Sequence, residues 1–190
     1  MKVVRSIALA GMVGLSSLYG ASFRVDTTHS DIAFKVKHLM ISNVKGSFEK
    51  FSGSFTLDEK TKKFSAIDGS VEVASINTQD AKRDADLKSA YFFDVKKYPK
   101  MKLELLEQQG STFKVRLSIK DVTKVVDMQL EDVSDVIKDP WGYTRMAFEM
   151  RGTINRKDFH MNFNQLLETG GLVVGDKVKI DIIIEGTEIK

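Results

Sequence analysis

Cysteine is absent from the chain, so neither a disulfide nor a thiolate metal site can hold the fold together. A lipid-modified N-terminal cysteine and a cysteine nucleophile are excluded for the same reason. Stability must therefore come from the burial of apolar side chains. Hydrophobic residues make up 42% of the 190 residues, which is enough to build the core of one globular domain.

Acidic residues are missing from the first 21 positions, although the rest of the chain is densely charged. Lys2 and Arg5 open this segment, residues 7–18 carry no charge, and the small residues Gly20 and Ala21 follow. A transmembrane helix needs about 20 apolar residues, more than this run contains. The pattern predicts a signal peptide over residues 1–20 and a mature domain over residues 21–190. We therefore expect a periplasmic or secreted protein that does not span the membrane, with an uncleaved anchor as the alternative.

A strong excess of one charge is also lacking. Two of the 29 basic residues fall within the predicted signal peptide, so the remaining ones nearly balance the 26 acidic residues of the mature chain. Nucleic acid is therefore not an expected partner, because binding to its backbone needs a clustered positive excess.

The usual signatures of catalysis are missing as well. There is no Gly-x-Ser-x-Gly elbow, and the pair Gly170 and Gly171 lacks the lysine and the following helix of a phosphate-binding loop. The sequence predicts a protein that is not an enzyme and that uses no cofactor.

Histidine occurs only three times. His29 and His38 are nine positions apart, so on one unbroken strand their side chains would point to opposite faces, and His160 lies far along the chain. A metal site is therefore not expected, although a strand break after Ser30 would undo this parity argument. Asp26 and His29 are expected to fix the first strand rather than to perform acid–base chemistry.

Alternation of apolar and polar residues dominates the mature sequence, and it is the pattern of strands with one buried face. The apolar members of the clearest segments are Ile32, Phe34 and Val36; Met101, Leu103 and Leu105; Phe113, Val115, Leu117 and Ile119; Val126, Met128 and Leu130; Met146, Phe148 and Met150; and Val178, Ile180, Ile182 and Ile184. Strands so numerous and short indicate an all-β antiparallel fold, either a sandwich or a barrel.

Predicted turns separate the strands, and one segment departs from the alternating pattern. Turns are predicted at Asp68-Gly69, Gln109-Gly110, Pro140-Trp141-Gly142 and Gly170-Gly171. In residues 77–93, alanines and Leu87 lie among charged residues, which predicts one or two short helices with Thr78 as the N-cap. No repeat or linker interrupts residues 22–190, so a single domain is expected.

A closed barrel of about eight strands would remove exposed sheet edges and leave room for one small ligand. The chain has 12 Phe and 8 Met, and methionine is an adaptable lining for irregular apolar cavities. The pattern alone leaves two interiors open, one filled by its own side chains and one that holds a guest.

Several short motifs follow one another in a characteristic order. They are Asp26-Thr27-Thr28-His29-Ser30, Gly46-Ser47-Phe48, Ser75-Ile76-Asn77-Thr78, Arg83-Asp84-Ala85-Asp86-Leu87, Phe92-Phe93-Asp94, Tyr98-Pro99, Gly152-Thr153-Ile154-Asn155-Arg156-Lys157-Asp158-Phe159 and Val174-Gly175-Asp176. With these motifs spread over nearly all of the mature chain, the sequence resembles the YceI-like family of exported lipid-binding proteins. Two places depart from the family pattern: Asp121 stands where glycine is usual, and Asn155 with His160 replaces the commoner Asp and Gly.

The resemblance implies an extended, lipocalin-like antiparallel barrel around a hydrophobic tunnel. The ligands it implies are polyisoprenoids or other long-chain amphiphiles such as fatty acid amides, and the assembly it implies is a homodimer.

Strand parity and family position together select candidate ligand-binding residues. The apolar candidates are Phe34, Phe48, Phe51, Phe92, Phe93, Trp141, Tyr143, Phe148 and Phe159, and the polar candidates at the opening are His38, Arg83 and Asn155. An inward imidazole without a partner would cost about 1–3 kcal/mol, so His38 must bond to protein or to ligand. Arg83 is expected either to receive a phosphate or carboxylate head group or to pair with a neighbouring aspartate.

The function these observations predict is sequestration or carriage of a long apolar amphiphile in the cell envelope. Two alternatives stay open at this point. One is a barrel with a filled core that serves as a structural or protein-binding module, and the other is an enzyme that acts on a bound lipid or isoprenoid.

Overall fold

The computed structural model describes residues 20–165 and 173–189. Within these residues the chain forms twelve strands, one α-helix and two 3-10 helices. The strands are β1 (Ala21–Val25), β2 (Asp31–His38), β3 (Ser42–Phe48), β4 (Phe51–Asp58), β5 (Lys63–Glu72), β6 (Ile76–Asn77), β7 (Lys100–Gln109), β8 (Thr112–Ile119), β9 (Val122–Val133), β10 (Ile137–Lys138), β11 (Thr144–Asn155) and β12 (Val174–Glu188). Helix α1 spans Ala81–Lys88, and the 3-10 helices span Val73–Ser75 and Arg156–Phe159.

The sheet closes into an antiparallel barrel. Its eight-stranded ring runs through β11, β9, β8, β7, β5, β4, β1 and β12, and the pairing of β12 with β11 closes it. The long strand β12 pairs with β1 near its C-terminal end and with β2 along its N-terminal half. Strands β3 and β6 then extend the wall from β2. The predicted all-β barrel of about eight strands with a short helix is confirmed.

The two ends of this barrel differ in what they carry. The helix end carries the β2–β3 turn, α1 and the β8–β9 turn, and the loop end carries the β4–β5 turn, the β7–β8 turn and the β10–β11 loop. At the loop end, aromatic rings fill the interior. The ring centroid of Phe64 lies 4.9 Å from that of Phe148 and 5.2 Å from that of Phe113, and Phe55 stacks on Phe23 at 5.1 Å. Such pairs contribute about 0.5–1.5 kcal/mol each beyond the area they bury.

The sequence did not decide whether the interior of the barrel is filled by its own side chains. In this half of the barrel it is filled. Strand alternation explains how the rings get there. Along β8, the side chains of Phe113, Val115, Leu117 and Ile119 are buried, whereas Arg116 between them is exposed. A strand of this kind contributes one apolar face to the core and one polar face to water.

The turn predicted at Asp68 and Gly69 is wrong. Both residues lie within β5, where Gly69 pairs with Gly53 of β4 and with Leu103 of β7. The chain turns earlier, at residues 58–63, where the Asp58 carboxylate accepts hydrogen bonds from the backbone N–H groups of Lys60 and Thr61. An Asp-Gly pair is a common turn signal, but here the pairing of two neighbouring strands overrides it.

The N-cap predicted for the helix is also wrong by two residues. Asp80 caps α1, because its carboxylate accepts hydrogen bonds from the backbone N–H groups of Lys82 and Arg83. Thr78 is buried instead, and its hydroxyl donates to Asp84 Oδ1 at 2.6 Å and accepts from Arg83 Nε at 2.8 Å. The threonine thus holds the segment before the helix against the helix itself.

The predicted signal peptide, apart from Gly20, lies outside the described residues, as does the predicted turn at Gly170-Gly171. Of the helices formed by residues 20–165 and 173–189, none combines the length and the hydropathy that a crossing of the bilayer requires.

Candidate functional site

The helix-end half of the barrel encloses a cavity of about 180 Å³. Its wall consists almost entirely of aromatic, aliphatic and methionine side chains from both curved sides of the barrel. Six of the predicted ligand-binding residues lie in this wall: Phe34, Phe48, Phe51, Phe92, Phe93 and Phe148. Because nothing in such a wall replaces the hydrogen bonds of water, the cavity suits an apolar guest.

Two glycines set the wall back and leave this space. Gly53 and Gly69 are paired directly across β4 and β5, and both border the cavity. A Cβ atom added to Gly69 would come no closer than 4.0 Å to any neighbouring atom, the nearest being those of Leu103. A Cβ atom added to Gly53 would lie 2.5 Å from the carbonyl oxygen of Asp68, so no side chain fits at that position.

The floor of the cavity is the aromatic plug of the loop end. Phe148 borders the cavity and packs edge-on against Phe55, with 5.0 Å between ring centroids. Phe55 also borders the cavity, so the same rings that fill one half of the barrel close the bottom of the other. The cavity is therefore a blind pocket toward the loop end.

The roof is formed by α1 and the segment that follows it. Leu87, Phe92 and Phe93 cover the barrel opening, and Phe93 meets Phe48 edge-on at 6.1 Å. Phe92 packs against Phe163 at 5.0 Å between ring centroids. Two aromatic rings from different segments thus meet at the edge of the roof.

A second cavity of about 420 Å³ lies beside this roof, and we call it the vestibule. It shares five wall residues with the inner cavity: Phe34, Val36, Leu87, Phe92 and Val174. Its other walls are more polar and include Lys37, His38, Arg83 and Asp86. The vestibule therefore leads from an apolar pocket to charged groups at the surface.

The predicted polar residues His38 and Arg83 both border the vestibule. His38 ends β2 and is half-buried, as its parity with Phe34 and Val36 indicated. Arg83 is largely engaged by protein: Nε donates to the hydroxyl and Nη2 to the carbonyl oxygen of Thr78, at 2.8 and 2.9 Å. Its acidic neighbour is Asp80 at 3.7 Å rather than Asp84 or Asp86. Arg83 is thus first a residue that fixes the roof.

Trp141 and Tyr143 do not line the cavity, contrary to the prediction. They lie on the β10–β11 loop at the opposite end and are 79% and 53% exposed. The loop is held outside the barrel because the Asp139 carboxylate accepts hydrogen bonds from the backbone N–H groups of both residues and from Arg145 Nε. The aromatic side chains consequently face solvent.

Asn155 and Phe159 also lie outside the cavity wall. Asn155 is exposed, and its side-chain oxygen accepts a hydrogen bond from the backbone N–H of Lys157 at 3.0 Å, which caps the 3-10 helix. Phe159 is buried in the same core cluster as the lining residues Phe48 and Ile154, but it does not itself border the cavity. Asparagine thus performs the capping role that an aspartate would have at this position.

The two departures from the family pattern meet in space. His160 Nδ1 lies 3.2 Å from Asp121 Oδ1, between the β8–β9 turn and the end of the second 3-10 helix. His160 has a φ of 57°, a left-handed conformation that glycine adopts without strain. His160 therefore occupies a left-handed backbone position, which explains why glycine is the commoner residue there in the family.

Arg156 is a buried residue at this site that the sequence did not single out. Arg156 borders the cavity, and its guanidinium donates to the carbonyl oxygens of Gly175 and Phe163 at 3.0 and 2.7 Å, and also to those of Met161 and Val174. Burial lowers its pKa, and the carboxylate of Asp176 at 3.3 Å acts in the opposite direction. Arg156 thus fastens the segment after β11 to the start of β12 at the helix end.

A polar cluster on the barrel wall contains the first histidine. His29 lies before the start of β2 and not on one strand with His38, so the parity argument does not apply, and Asp26, His29 and Glu185 bring potential ligand atoms within 4.8 Å of one another. A guanidinium already faces this group: Arg145 Nη1 lies 2.7 Å from Asp26 Oδ2 and 2.8 Å from Glu185 Oε1. Hydrogen bonds from Thr28, Arg145 and His29 hold the pKa of Asp26 well below its usual range. The cluster ties the β1–β2 turn to β11 and β12.

Known proteins resemble this chain over nearly the whole barrel. The YceI-like domain matches residues 23–186. The chain belongs to the YceI-like family. A UPF0312 protein of Staphylococcus epidermidis is 37% identical over 168 residues, which cover 86% of this chain and 95% of the relative.

Solved structures agree with this membership. The YceI protein of Campylobacter jejuni is 30% identical, with a TM-score of 0.66 over 87% of this chain and 96% of that one. A polyisoprenoid-binding domain from Saccharophagus degradans has a TM-score of 0.68 over 90% of this chain and 100% of that one. At 16% identity, the second likeness shows the fold alone. The YceI-like family that the sequence resembled is thus confirmed.

Proposed function

We propose that this YceI-like protein binds the chain of a long apolar lipid in the inner cavity, with the polar end of the lipid in the vestibule. The observation that carries the proposal is the apolar cavity of about 180 Å³ and its shared wall with the vestibule. A chain of the polyisoprenoid or fatty acid amide type fits this arrangement, and the solved polyisoprenoid-binding domain of the same fold supports that choice.

The size of the cavity sets how the ligand would lie. Pockets for drug-sized ligands are usually about 300–1,000 Å³, so the inner cavity alone takes only part of a long chain. The rest would occupy the vestibule of about 420 Å³. Met101 and Met150 line the inner cavity, and methionine side chains adjust their shape to irregular guests. Each buried methylene contributes about 0.8 kcal/mol, which offsets the ordering cost of association.

The polar end of the ligand would meet the charged wall of the vestibule. Lys37 and His38 lie there beside Arg83, whose guanidinium is partly used by Thr78. These groups favour a head group with acceptor oxygens, such as a phosphate, a carboxylate or an amide. Affinity then comes from the chain, and orientation comes from the head.

The cellular setting is also part of the proposal. The charge pattern of residues 1–21 supports export to the periplasm or beyond, where a soluble carrier would move or store a lipid. A homodimer is supported by the family resemblance, and light scattering on the purified protein tests it.

Binding rather than turnover is the role we assign to the cavity. Arg156 is a charged residue that borders the cavity directly after β11, and its donors are directed at backbone carbonyl oxygens and Asp176. It is therefore committed to structure and not free to transfer a proton.

Organic extraction of the purified protein followed by mass spectrometry tests the proposal. We expect one class of long-chain lipid in near-stoichiometric amount. A barrel filled by its own side chains would release nothing, which would overturn the proposal. An enzyme would convert the extracted lipid when it is added back to the stripped protein, and recovery of the unchanged lipid is the result we expect.

A further inference from the structure

The turn between β2 and β3 exposes apolar side chains beside the vestibule. Ile41 is 82% exposed and Met40 is 52% exposed, and Tyr91 on the other side of the vestibule is 77% exposed. We call these three residues the rim. The turn adjoins the vestibule through His38 and Val173, because both residues line it and Val173 accepts a hydrogen bond from the backbone N–H of Leu39.

Met40 and Ile41 bury little of their apolar surface within the fold. Leu39 and Met40 occupy its two central positions with φ angles of 50° and 60°. Glycine and asparagine are the residues that such turns favour, and a bulky side chain there is strained. Apolar residues that face water in a strained turn break two local rules at once, and positions of this kind are commonly functional.

The outer wall next to this turn carries five lysines, which we call the basic face: Lys35, Lys37, Lys45, Lys177 and Lys179. Lys35 stands directly opposite Lys45 on β3 and Lys179 on β12. Like charges in this relation repel, so the arrangement costs stability. Residues 32–48 contain no acidic side chain.

The nearest carboxylates on β12 do not neutralise this face. Asp181 pairs with Arg151, and Asp176 pairs with Arg156 and Lys157. Within residues 20–165 and 173–189, no salt bridge includes a lysine of the basic face. The apolar rim thus lies beside the vestibule, and the positive surface begins there at Lys37 and continues along the outer wall of β2, β3 and β12.

We propose that the rim and the basic face dock on a lipid bilayer that contains anionic lipids. The rim enters the interface between head groups and chains, where tyrosine and aliphatic side chains are favoured, and the lysines lie near the phosphates. The vestibule then faces the membrane, and a lipid passes between bilayer and cavity without crossing water. This transfer rests on the function proposed above, whereas the docking does not.

The exposed aromatic patch at the loop end provides the comparison. Ile137 and Trp141 are strongly exposed there, but Asp135 lies nearby and the lipid cavity opens at the other end. The patch also exposes large apolar side chains and lies away from the basic face. A matched variant at this patch therefore separates general stickiness from docking at the mouth.

Vesicle flotation of the mature protein, starting at Ala21, tests the proposal. The vesicles contain no candidate cargo and consist either of phosphatidylcholine or of phosphatidylcholine and phosphatidylglycerol in equal parts. We expect flotation with the anionic vesicles that weakens as salt is raised. The double variant Met40→Gly and Ile41→Ser should reduce binding by at least about tenfold without lowering the melting temperature, because glycine suits the left-handed position.

Charge variants complete the test. Replacement of Lys35, Lys45 and Lys179 by glutamine should weaken binding to anionic vesicles by at least about tenfold, because each lysine near an anionic surface adds to the attraction. The matched triple Lys50→Gln, Lys60→Gln and Lys63→Gln removes the same charge elsewhere and should change little.

The proposal is overturned if anionic vesicles do not bind, or if Ile137→Ser with Trp141→Ser weakens binding as much as the rim variant does. A protein that carries lipid but does not float overturns docking alone, whereas one that floats but yields no lipid overturns the proposed function alone.

Discussion

Gly53 and Gly69 face each other across β4 and β5, and neither contributes a side chain to the barrel interior. The neighbours of Gly69 on the same face of β5, Ile67 and Val71, are buried and also border the cavity. The two glycines therefore lie at positions where larger side chains would fill the space inside the apolar wall. This relationship explains why the helix-end half of the barrel is hollow, although the loop-end half is filled by phenylalanine rings.

The variant Gly69→Leu should fill the cavity and abolish lipid binding. A Cβ atom at this position makes only ordinary van der Waals contact with Leu103, so the folded protein should keep its stability or gain about 1 kcal/mol from the added apolar burial. Lipid affinity should fall by at least about tenfold, because the leucine occupies the volume of the guest. Titration with a fluorescent long-chain amide and thermal unfolding measure the two effects.

The matched control is Ser70→Leu, which adds the same side chain one residue later on the outer face of β5. It should leave lipid affinity unchanged. Equal loss of affinity in both variants would mean that Gly69 acts on the fold and not on the cavity.

Phe92 and Phe163 are expected to control how fast the ligand leaves. Their rings meet at 5.0 Å at the edge of the roof, and both border the vestibule. Either Phe92→Ala or Phe163→Ala should speed release, and the double variant should add less than the sum, because the two rings act as one contact worth about 0.5–1.5 kcal/mol. Stopped-flow release into cyclodextrin measures these rates. Tyr143→Ala, at the loop end, is the control, and an effect of similar size there would contradict the prediction.

Arg156 should be essential for stability although it lies beside the ligand site. Its removal in Arg156→Met takes the donor away from several buried or half-buried carbonyl oxygens and leaves Asp176 with Lys157 alone, so the free energy of unfolding should fall by about 3–5 kcal/mol. Arg156→Lys should restore little of this, because an ammonium cannot reach the same set of acceptors. Urea unfolding measures both, with the exposed Arg116→Met expected to cost less than about 1 kcal/mol. A cost at Arg156 as small as that at Arg116 would show that the buried network is not needed.

Acid should weaken the protein through Asp26. Hydrogen bonds from Thr28 and Arg145 hold the pKa of this carboxyl below its usual value of 3.8 in the folded chain, so the unfolded chain binds its proton at a higher pH. The stabilisation is present in full above the usual pKa and is lost as the pH falls below it. Asp26→Asn should therefore be less stable at neutral pH and show a shallower decline below about pH 4.

Unfolding midpoints in urea across this acid range measure the effect. Asp135→Asn alters an almost fully exposed aspartate and should keep the slope of the parent protein. The same slope in Asp26→Asn would place the acid sensitivity elsewhere.

Strand parity alone identifies more of the cavity wall correctly than the candidate ligand-binding residues that we selected. Met146, Phe148 and Met150 define the inward face of β11, and Tyr143 and Asn155 have the opposite parity and indeed face outward. The same alternation, continued two residues beyond Ile154, predicts that Arg156 also faces inward. The aliphatic lining residues, such as Leu103 and Ile180, also belonged to alternating segments, but the choice of aromatic side chains passed over them.

The cavity itself could not be predicted from the sequence, because its existence depends on which residues face each other across strands. The local sequence Asp68-Gly69 predicts a turn. Only the pairing of β4 with β5 shows that Gly69 lies beside Gly53. The location of Trp141 likewise depends on the hydrogen bonds of Asp139, which hold its loop outside the barrel. The fold could be predicted from the family motifs and the alternation of apolar residues. The cavity depends on the side-chain volumes of residues on neighbouring strands, which the sequence alone does not place side by side.

Native mass spectrometry of the purified mature protein, run in parallel on the parent chain and on Gly69→Leu, measures the occupancy of the hollow directly. We predict a parent protein that carries one long-chain lipid per cavity and a folded Gly69→Leu protein that carries none. A parent protein without bound mass, or equal occupancy in both proteins, would contradict the assignment of the cavity as a lipid site.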